Sequence, residues 1–223
     1  MSVWVVLVAA GRGERLEQDR PKAFARLRGQ PLLAEPLARL DASEWIDAIV
    51  VAAPPEWEEP VILLAEELSA GKVVAAVTGG ATRTESVRLG VAEVPADAAV
   101  ILVHDAARPL VSDAVIGRVL AALGEGYDGA VPGLPVSDTI KRVRDGVVEE
   151  TLLRDELVAV QTPQGFVAEV LRAALDGEGT DCASLVEARG GRVKVVEGDP
   201  RLLKVTTQED LALVESWLGG AAT

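Results

Sequence analysis

Short apolar segments alternate along this chain with longer segments whose apolar residues recur at helical spacing. The apolar segments are rich in valine, isoleucine and alanine, and they are Val3–Val8, Ala48–Ala53, Val73–Val77 and Ala99–Val103. Segments of this kind are typical of strands that are buried on both faces. Helices are predicted over Leu32–Leu40, Glu56–Ser69, Thr84–Val94 and Ala114–Leu123, the last with Ser112-Asp113 as its cap. This β-α-β-α order predicts an α/β fold: a Rossmann-like, doubly wound, mainly parallel sheet.

The alternation stops near residue 133, where two β-rich runs flank the dipeptide Asp145-Gly146. Asp-Gly between such runs is a strong hairpin signal. An isolated hairpin is barely stable in water, so we expect a protruding β-hairpin arm at about residues 133–153 that serves dimerisation. The elements predicted after it are a strand at Leu157–Gln161, a helix at Phe166–Leu175, a strand at Val193–Glu197 and a helix at Gln208–Leu218. We interpret residues 1–223 as one domain.

Composition narrows the classes of function. The net charge of −13 argues against a nucleic-acid partner, because a polyphosphate backbone requires a basic surface. No apolar run reaches the roughly 18 residues that cross a bilayer, and the first residues lack the basic flank of a signal peptide. A single cysteine, Cys182, cannot form an internal disulfide, so we expect a cytoplasmic protein without a membrane partner. The lack of asparagine and the excess of arginine over lysine predict a thermophilic source, although a GC-rich genome would give the same arginine bias.

A glycine-rich loop, residues 9–16 with the sequence Ala-Ala-Gly-Arg-Gly-Glu-Arg-Leu, directly follows the first predicted strand. Its main-chain N–H groups would point into the crevice at the carboxyl end of that strand, where open α/β sheets bind ligands. Gly11 and Gly13 permit close approach to phosphate oxygens. Arg15 and Lys22 add two charges, and Pro21 fixes the path before Lys22. The loop therefore predicts a triphosphate site.

Three other interpretations of this loop compete with a triphosphate site. A Walker A loop requires Gly-x-x-x-x-Gly-Lys-Ser/Thr, and the glycines here are too close together. The dinucleotide fingerprint requires a third glycine where Leu16 stands, and Asp19-Arg20-Pro21 interrupts the helix that should follow. An ordinary strand-to-helix turn remains open on the glycines alone, and Arg15 with Pro21-Lys22 argues against it.

The loop and Pro21-Lys22 resemble the signature of nucleotidyltransferases that activate sugar phosphates. From Val3 to about Leu218 the chain resembles the 2-C-methyl-D-erythritol 4-phosphate cytidylyltransferase family, with six motifs in order. The later motifs are Gly79–Val87, His104–Pro109, Asp138–Lys141 followed by Arg154, Gln161–Gln164 and Lys204–Thr206, while Thr180–Ser184 matches more weakly. The resemblance implies transfer of CMP from CTP to 2-C-methyl-D-erythritol 4-phosphate with release of pyrophosphate. It also implies Mg²⁺ and a homodimer.

The resemblance assigns residues to the nucleotide. It implies that the loop and the two cations Arg15 and Lys22 bind the triphosphate and act in catalysis. The predicted nucleotide-binding residues are Ala9, Ala10, Gly11, Gly13, Gly80, Arg83, Ser86, Asp105 and Ala106. Within this set, Gly80 and Ser86 are implied to read cytosine. Asp105 is implied to lie near the ribose, the acceptor phosphate or Mg²⁺, which is held mostly by the triphosphate.

The acceptor side is assigned in the same way. The predicted substrate-binding residues are Asp105, Arg108, Thr139, Arg154, Thr162, Thr180 and Lys204. Arg154 and Lys204 are implied to be catalytic, with Arg154 reaching across the dimer. Cys182 stands where the family usually has an acidic residue, and we interpret it as a packing residue at a helix start. His104, the single histidine, has no predicted role in proton transfer.

Three alternatives to this function remain at the level of sequence. A cytidylyltransferase for another polyol phosphate, such as ribitol 5-phosphate, would share the nucleotide motifs and differ only in its acceptor pocket. A dinucleotide-binding oxidoreductase is disfavoured by the missing third glycine. A non-catalytic nucleotide-binding protein is disfavoured by the retention of Arg15, Lys22, Asp105 and Lys204.

Overall fold

A computed structural model of the protein describes residues 2–11, 20–177 and 179–219. Its strands are β1 Val3–Val8, β2 Arg26–Leu27, β3 Gln30–Pro31, β4 Ala48–Ala53, β5 Val73–Thr78, β6 Val100–Asp105, β7 Gly129–Pro135, β8 Lys141–Arg144, β9 Val147–Thr151, β10 Val158–Val160, β11 Gln164–Val167 and β12 Val193–Glu197. Its helices are α1 Ala34–Ala42, α2 Glu58–Glu67, α3 Arg83–Ala92, α4 Asp113–Gly124, α5 Ala168–Ala174, α6 Cys182–Ala188 and α7 Gln208–Gly219. None of the helices within these ranges is long and apolar enough to span a membrane.

Eight strands form the main sheet, in the order β10-β7-β11-β6-β1-β4-β5, with β12 also paired to β7. The pairs β6-β1, β1-β4, β4-β5 and β12-β7 are parallel, while β11 and β10 run antiparallel to their neighbours. This arrangement confirms the predicted mainly parallel α/β sheet. Val8 is paired with Asp105, and Ala53 with Thr78, so the loops after β1, β4, β5 and β6 all leave the same edge.

Helices cover both faces of the sheet. On β1, Val5 and Leu7 face a core that α1, α2 and α4 complete, whereas Val6 faces a second core built with α3, α5 and α6. Each fully buried valine or leucine stabilises the fold by about 1.5–3 kcal/mol relative to an exposed one. Gly90 lets α3 lie directly on β1, because a Cβ at this position would overlap the Val6 side chain. Two buried faces explain why these strands have no polar alternation.

Strands β8 and β9 form a two-stranded sheet of their own, which confirms the predicted hairpin. Asp145 (φ 49°) and Gly146 (φ 78°) are both in the left-handed region, as the favoured two-residue hairpin turns require. All residues of both strands are exposed. The predicted arm boundaries were too wide, because residues 133–135 belong to β7 in the main sheet.

Two local predictions differ from the structure. The helix predicted over Phe166–Leu175 begins only at Ala168, because Gln164–Val167 forms the antiparallel strand β11 between β6 and β7. Phe166 is fully buried in the core that α3, α5 and α6 complete, so tertiary contacts override the local pattern. Ser112 occupies the N-cap position of α4 as predicted, but its side chain makes no capping hydrogen bond.

Candidate active site

A cleft of about 1080 Å³ opens at the carboxyl edge of the parallel strands, the usual ligand site of open α/β sheets. The loops after β1, β4, β5 and β6 form its walls, and residues before α7 close it. Its principal described lining residues are Ala9, Ala10, Gly11, Arg20, Lys22, Pro54, Gly79, Gly80, Arg83, Ser86, Asp105, Ala106, Lys204 and Thr206. Most of the predicted nucleotide residues are therefore brought together. Gly13 and Arg15 lie outside the described residues.

The two glycine loops are in direct contact. The Ala9 N–H donates to the Ala52 carbonyl (2.8 Å), and the Gly79 N–H donates to the Ala53 carbonyl (2.7 Å). A Cβ on Gly79 would overlap the Cβ of Ala10. Glycine is therefore needed at residue 79 for the loop after β5 to pack against the loop after β1.

Lys22 begins a 3-10 helix, Lys22–Phe24, and its side chain lines the cleft. Pro21 (φ −56°) precedes this turn, in line with the predicted fixing of the path. The turn is held from behind by Phe24, whose ring centroid lies 4.3 Å from that of Trp57. This aromatic contact anchors the turn that carries Lys22 to the loop before α2.

The loop before α3 is ordered by its own polar groups. The Gly80 N–H donates to Ser86 Oγ (3.1 Å), and the Ser86 hydroxyl donates to the Thr82 carbonyl (2.9 Å). Thr82 caps α3 by accepting a hydrogen bond from the Glu85 N–H (3.1 Å). A cap of this kind fixes the start of a helix. The segment predicted to read the base is thus organised by the protein alone.

Asp105 joins the loops at the centre of the cleft. Its Oδ1 accepts from Arg83 Nε (2.9 Å), and its Oδ2 accepts from Lys204 Nζ (2.7 Å). Burial raises the pKa of the Asp105 carboxyl, but the charges of Arg83 and Lys204 outweigh burial and hold this pKa well below its usual range. Asp105 is therefore a fixed negative charge between two cations.

A buried chain of hydrogen bonds lies behind Asp105. The Asp105 N–H donates to Thr162 Oγ1 (3.1 Å), Thr162 Oγ1 lies 3.0 Å from His104 Nδ1, and His104 Nε2 lies 3.0 Å from the Arg108 carbonyl oxygen. His104 is fully buried and Thr162 is 4% exposed. Burial lowers the pKa of His104 to about 4, so the imidazole is neutral near pH 7. Sequence reasoning gave His104 no role, and no local signal indicates this chain.

Arg108 binds main-chain carbonyl groups. Its guanidinium donates to the carbonyl oxygens of Leu202 (2.6 Å) and Val160 (3.4 Å). The Val205 N–H donates to the Ala107 carbonyl (2.8 Å), so the loop after β6 and the segment that carries Lys204 are tied together. The predicted contact between Arg108 and the substrate stays a prediction. The structure gives this side chain a definite packing function instead.

The other predicted acceptor residues lie away from the described lining of the cleft. Thr139 is exposed before β8, and Thr180 is exposed before α6. Arg154 lies in a 3-10 helix, Arg154–Glu156, and donates to the Ser137 carbonyl (2.8 Å) at the base of the hairpin. Its side chain is 56% exposed. One chain by itself therefore does not bring Arg154 into the cleft.

Cys182 is the buried first residue of α6, as its interpretation as a packing residue predicted. Its Sγ lies 3.7 Å from a guanidinium nitrogen of Arg83. Burial raises the pKa of the Cys182 thiol to about 11, although Arg83 acts in the opposite direction. A neutral, buried thiol is a poor nucleophile. Arg83 therefore has Asp105 as its ionised partner and the thiol as a weak second contact.

Several lining residues were missed from the sequence, and the polar ones include Arg20 and Thr206. Arg20 was interpreted only as part of a helix break, and Thr206 only as part of a motif. With Arg20, the described lining has four cations (Arg20, Lys22, Arg83 and Lys204) against one carboxylate (Asp105), which leaves a charge of +3. An anion is therefore attracted to this cleft, although the chain as a whole has a net charge of −13. The adjacency of Arg20 to Pro21-Lys22 was the available signal.

The fit to Mg²⁺ depends on Asp105. The described residues contain no group of three histidine, cysteine or acidic side chains able to hold a metal ion. Mg²⁺ in nucleotide sites is commonly bound by one or two carboxylates together with phosphate oxygens and water. Asp105 offers such a carboxylate, although both of its oxygens already accept hydrogen bonds from cations. The site fits a metal whose ligands come mainly from the triphosphate.

Comparisons with known proteins agree with this geometry. The family model for 2-C-methyl-D-erythritol 4-phosphate cytidylyltransferase matches residues 3–220. The protein of that name from Nocardia farcinica is 48% identical over 220 residues, covering 97% of this chain and 94% of that protein. The one from Saccharopolyspora erythraea is 47% identical over 225 residues, covering 98% and 100%. The crystal structure of the one from Thermus thermophilus has a TM-score of 0.77 at 35% identity, covering 96% of this chain and 98% of that chain.

Proposed function

The chain belongs to the 2-C-methyl-D-erythritol 4-phosphate cytidylyltransferase family, and we propose that the cationic cleft beside the two glycine loops is where it performs that reaction. The enzyme transfers CMP from CTP to 2-C-methyl-D-erythritol 4-phosphate, giving 4-diphosphocytidyl-2-C-methyl-D-erythritol and pyrophosphate. The observation that carries the location is the +3 lining in a protein of net charge −13. Two polyanionic substrates need such a concentration of cations.

The chemistry is a nucleophilic displacement at phosphorus. A phosphate oxygen of the acceptor attacks the α-phosphorus of CTP in line with the departing pyrophosphate. A phosphomonoester has a second pKa of about 6, so the attacking oxygen is already anionic near neutral pH and needs no general base. The barrier comes from repulsion between two polyanions and from charge that builds on the leaving group. Positioned cations lower both contributions.

The residues of the cleft divide this work. Lys22 and Arg20 line the wall formed by the segment after the first loop, and we assign them, with Arg15, to the triphosphate. Lys204 is held by Asp105, and we assign it to the acceptor phosphate and the α-phosphate. Gly80 and Ser86 lie on a preorganised loop and are assigned to cytosine. Asp105 orients Lys204 and Arg83 and faces the ribose.

Mg²⁺ is part of this proposal. When bound, it would neutralise charge on the triphosphate and on the leaving pyrophosphate. Asp105 is the residue that would approach it, since it is the sole carboxylate in the described lining. The cations of the chain then position the two substrates around the complex of metal and nucleotide.

We propose a homodimer as the active form. The hairpin exposes apolar side chains on both strands: Val143 is 54% exposed, Val147 is 67% exposed, and Leu153 just beyond β9 is 71% exposed. Val143 also pairs across the strands with Val148, which is 54% exposed, and such exposed apolar residues on an arm favour burial against another subunit. In such a dimer, Arg154 and Thr139 at the base of the arm would reach the partner's cleft and bind the acceptor phosphate. An arginine fork suits a phosphomonoester.

The cellular setting is proposed from composition. We infer that the enzyme acts in the cytoplasm, where a single free cysteine is stable. We also infer a thermophilic source, from the lack of asparagine and the preference for arginine. A melting temperature above about 80 °C would support the inference, since mesophilic domains unfold at about 45–65 °C.

One assay separates the candidate functions. The purified protein is incubated with Mg²⁺ and CTP plus either 2-C-methyl-D-erythritol 4-phosphate or ribitol 5-phosphate, and pyrophosphate release is measured. We expect release with the first acceptor and at least about a hundredfold lower kcat/KM with the second, because the acceptor pocket must distinguish the two polyols. Equal turnover of ribitol 5-phosphate would refute the acceptor assignment. CTP binding without release from either acceptor would favour a nucleotide sensor.

A further inference from the structure

We propose that His104 and Thr162 are positioning residues for the cytidylyl transfer, acting through the main chain of Asp105. The hydrogen-bond chain runs from the Arg108 carbonyl through His104 and Thr162 to the Asp105 N–H. None of these three links involves a side-chain atom of Asp105. The chain therefore leaves the carboxylate free to hold Arg83 and Lys204 while it fixes the strand end from which that carboxylate projects.

The direction of each hydrogen bond follows from its ends. The Arg108 carbonyl oxygen can only accept, so His104 Nε2 must carry a proton. A neutral imidazole then has no proton on Nδ1, which must accept from the Thr162 hydroxyl. The Thr162 oxygen in turn accepts from the Asp105 N–H. One tautomer, with its proton on Nε2, therefore satisfies the whole chain.

The donors and acceptors of this chain also determine which hydrogen bonds Thr162 can make. A hydroxyl has one proton, and here it is given to His104. A dianionic phosphate only accepts hydrogen bonds, so Thr162 has no proton left to donate to it while the chain is intact. Thr162 is 4% exposed and is not part of the described cleft lining. We therefore assign Thr162 to positioning rather than to hydrogen-bond donation to the acceptor phosphate.

The ring of His104 also closes the turn that follows β6. The Arg108 N–H donates to the Asp105 carbonyl (2.9 Å). The His104 Nε2 atom lies within hydrogen-bond distance of the Arg108 carbonyl at the end of the same turn. This turn presents Ala106 and Ala107 to the cleft. The Ala107 carbonyl accepts from the Val205 N–H (2.8 Å) beside Lys204. Loss of the imidazole would thus loosen both ends of the Asp105–Lys204 ion pair.

The first test needs no catalytic activity. Because the chain has a single histidine, the imidazole nitrogen signals of uniformly ¹⁵N-labelled protein can be assigned without ambiguity. We expect long-range ¹H–¹⁵N spectra of the full chain at pH 7.5 to show a proton on Nε2 and none on Nδ1. In the Thr162→Val variant, the Nδ1 signal should shift because its donor is lost. A ring protonated on Nδ1, or an Nδ1 signal that does not change in Thr162→Val, would overturn the proposal.

The second test is kinetic and rests on the proposed function. Thr162→Val removes the hydroxyl at nearly constant volume, and Thr162→Ser keeps it as the matched control. We expect Val to lower kcat by about tenfold or more, with KM for the acceptor changed less than about threefold, and Ser to stay within about threefold of the parent. A direct substrate contact would instead raise KM for the acceptor in the Val variant.

A double-mutant cycle separates one chain from two independent effects. His104→Gln keeps a donor toward Arg108 but removes the acceptor of Thr162. If the two residues act in one chain, the double variant should be within about twofold of the worse single variant, since coupled residues are not additive. If the losses of kcat in the two single variants instead multiply in the double variant, the coupling is refuted. Circular dichroism and melting curves identify any variant that fails to fold. In that case the ¹H–¹⁵N spectra of His104 in the parent protein decide between the proposal and its rejection. An inactive parent protein would refute the proposed function while leaving the tautomer result intact.

Discussion

Lys204 and Asp105 are 99 positions apart in the sequence, yet Lys204 Nζ lies 2.7 Å from Asp105 Oδ2 in the cleft. The ion pair joins the end of β6 to the segment before α7. The side chain of Lys204 is 42% exposed and that of Asp105 is 10% exposed. The carboxylate is thus a buried anchor, and the ammonium is free to meet a ligand at the surface of the cleft.

Lys204→Ala should lower kcat for cytidylyl transfer by about a hundredfold, the usual cost of removing one contact to transition-state charge. Stability should change little, because the ammonium is partly solvated and such pairs contribute modestly. Steady-state kinetics and a melting curve measure the two effects. Lys194→Ala is the matched control, since Lys194 on β12 pairs with Glu125, outside the described cleft lining. A comparable loss of kcat in Lys194→Ala would contradict a specific contact between Lys204 and the transition state.

Lys22→Ala should also lower kcat strongly, because Lys22 lines the cleft and we assign its charge to the triphosphate. We expect about a hundredfold loss, with a similar loss for Arg15→Ala. The fold should survive, because the contact between Phe24 and Trp57 holds the turn that carries Lys22. Pyrophosphate release at saturating CTP measures the effect. Near-normal turnover in both variants would contradict the assignment of these cations to the triphosphate.

Stability should depend on pH through His104. The pKa of this group is lowered from about 6.5 to about 4 by burial, so the folded state binds fewer protons than the unfolded state below pH 6.5. The stabilisation is fully present above pH 6.5 and is lost as the pH falls toward 4, by up to about 3 kcal/mol.

Denaturant unfolding of the parent protein and of His104→Gln between pH 7 and pH 4.5 isolates this contribution. The difference between the two curves cancels the carboxylates common to both, and it should shrink as the pH falls. Asp105 affects stability at lower pH. Because its pKa is lowered in the folded protein, its stabilising contribution is present above the usual pKa of aspartate and is lost as the pH falls through and below that value. A difference that stays constant over this range would contradict the buried neutral imidazole.

The sequence was informative wherever the signal was local. Strands buried on both faces appear as continuous apolar runs, and β1 and β4 were predicted to the residue. The Asp145-Gly146 turn was predicted for the same reason, since its left-handed backbone needs a specific pair of residues. Glycine loops after such strands also indicated which edge of the sheet would hold the cleft.

Pairings that depend on the path of the chain were not accessible in this way. Strand β11 is an antiparallel insertion between β6 and β7, and its four residues show no alternation that would reveal it. Asp105 contacts Arg83 and Lys204, and the three residues lie on segments that are far apart in the sequence. The packing of Arg108 against the Leu202 and Val160 carbonyls is equally invisible in sequence, because any arginine in that motif is compatible with a substrate contact.

The proposed dimer makes a prediction that a monomer cannot satisfy. Arg154 is exposed beside the hairpin and not in the described lining of its own cleft, so we expect it to complete the cleft of the partner. Arg154→Ala and Lys22→Ala should each be nearly inactive alone. In a dimer that carries one of each, the subunit with Arg154→Ala keeps its own Lys22 and receives an intact Arg154 from the other subunit.

Mixing equal amounts of the two variants under conditions that exchange subunits should therefore restore about a quarter of the parent activity, since half of the dimers are mixed and half of their clefts are intact. An Arg154 that acts within its own chain would leave both clefts of the mixed dimer defective, and no activity would return. Sedimentation of the parent protein and of Val147→Glu provides the control for assembly. The glutamate replaces an exposed apolar side chain of the hairpin with a charged one, so it should shift the protein toward a monomer and abolish the rescue. Recovery in a Val147→Glu background that still forms dimers would place the contact between subunits elsewhere on the surface.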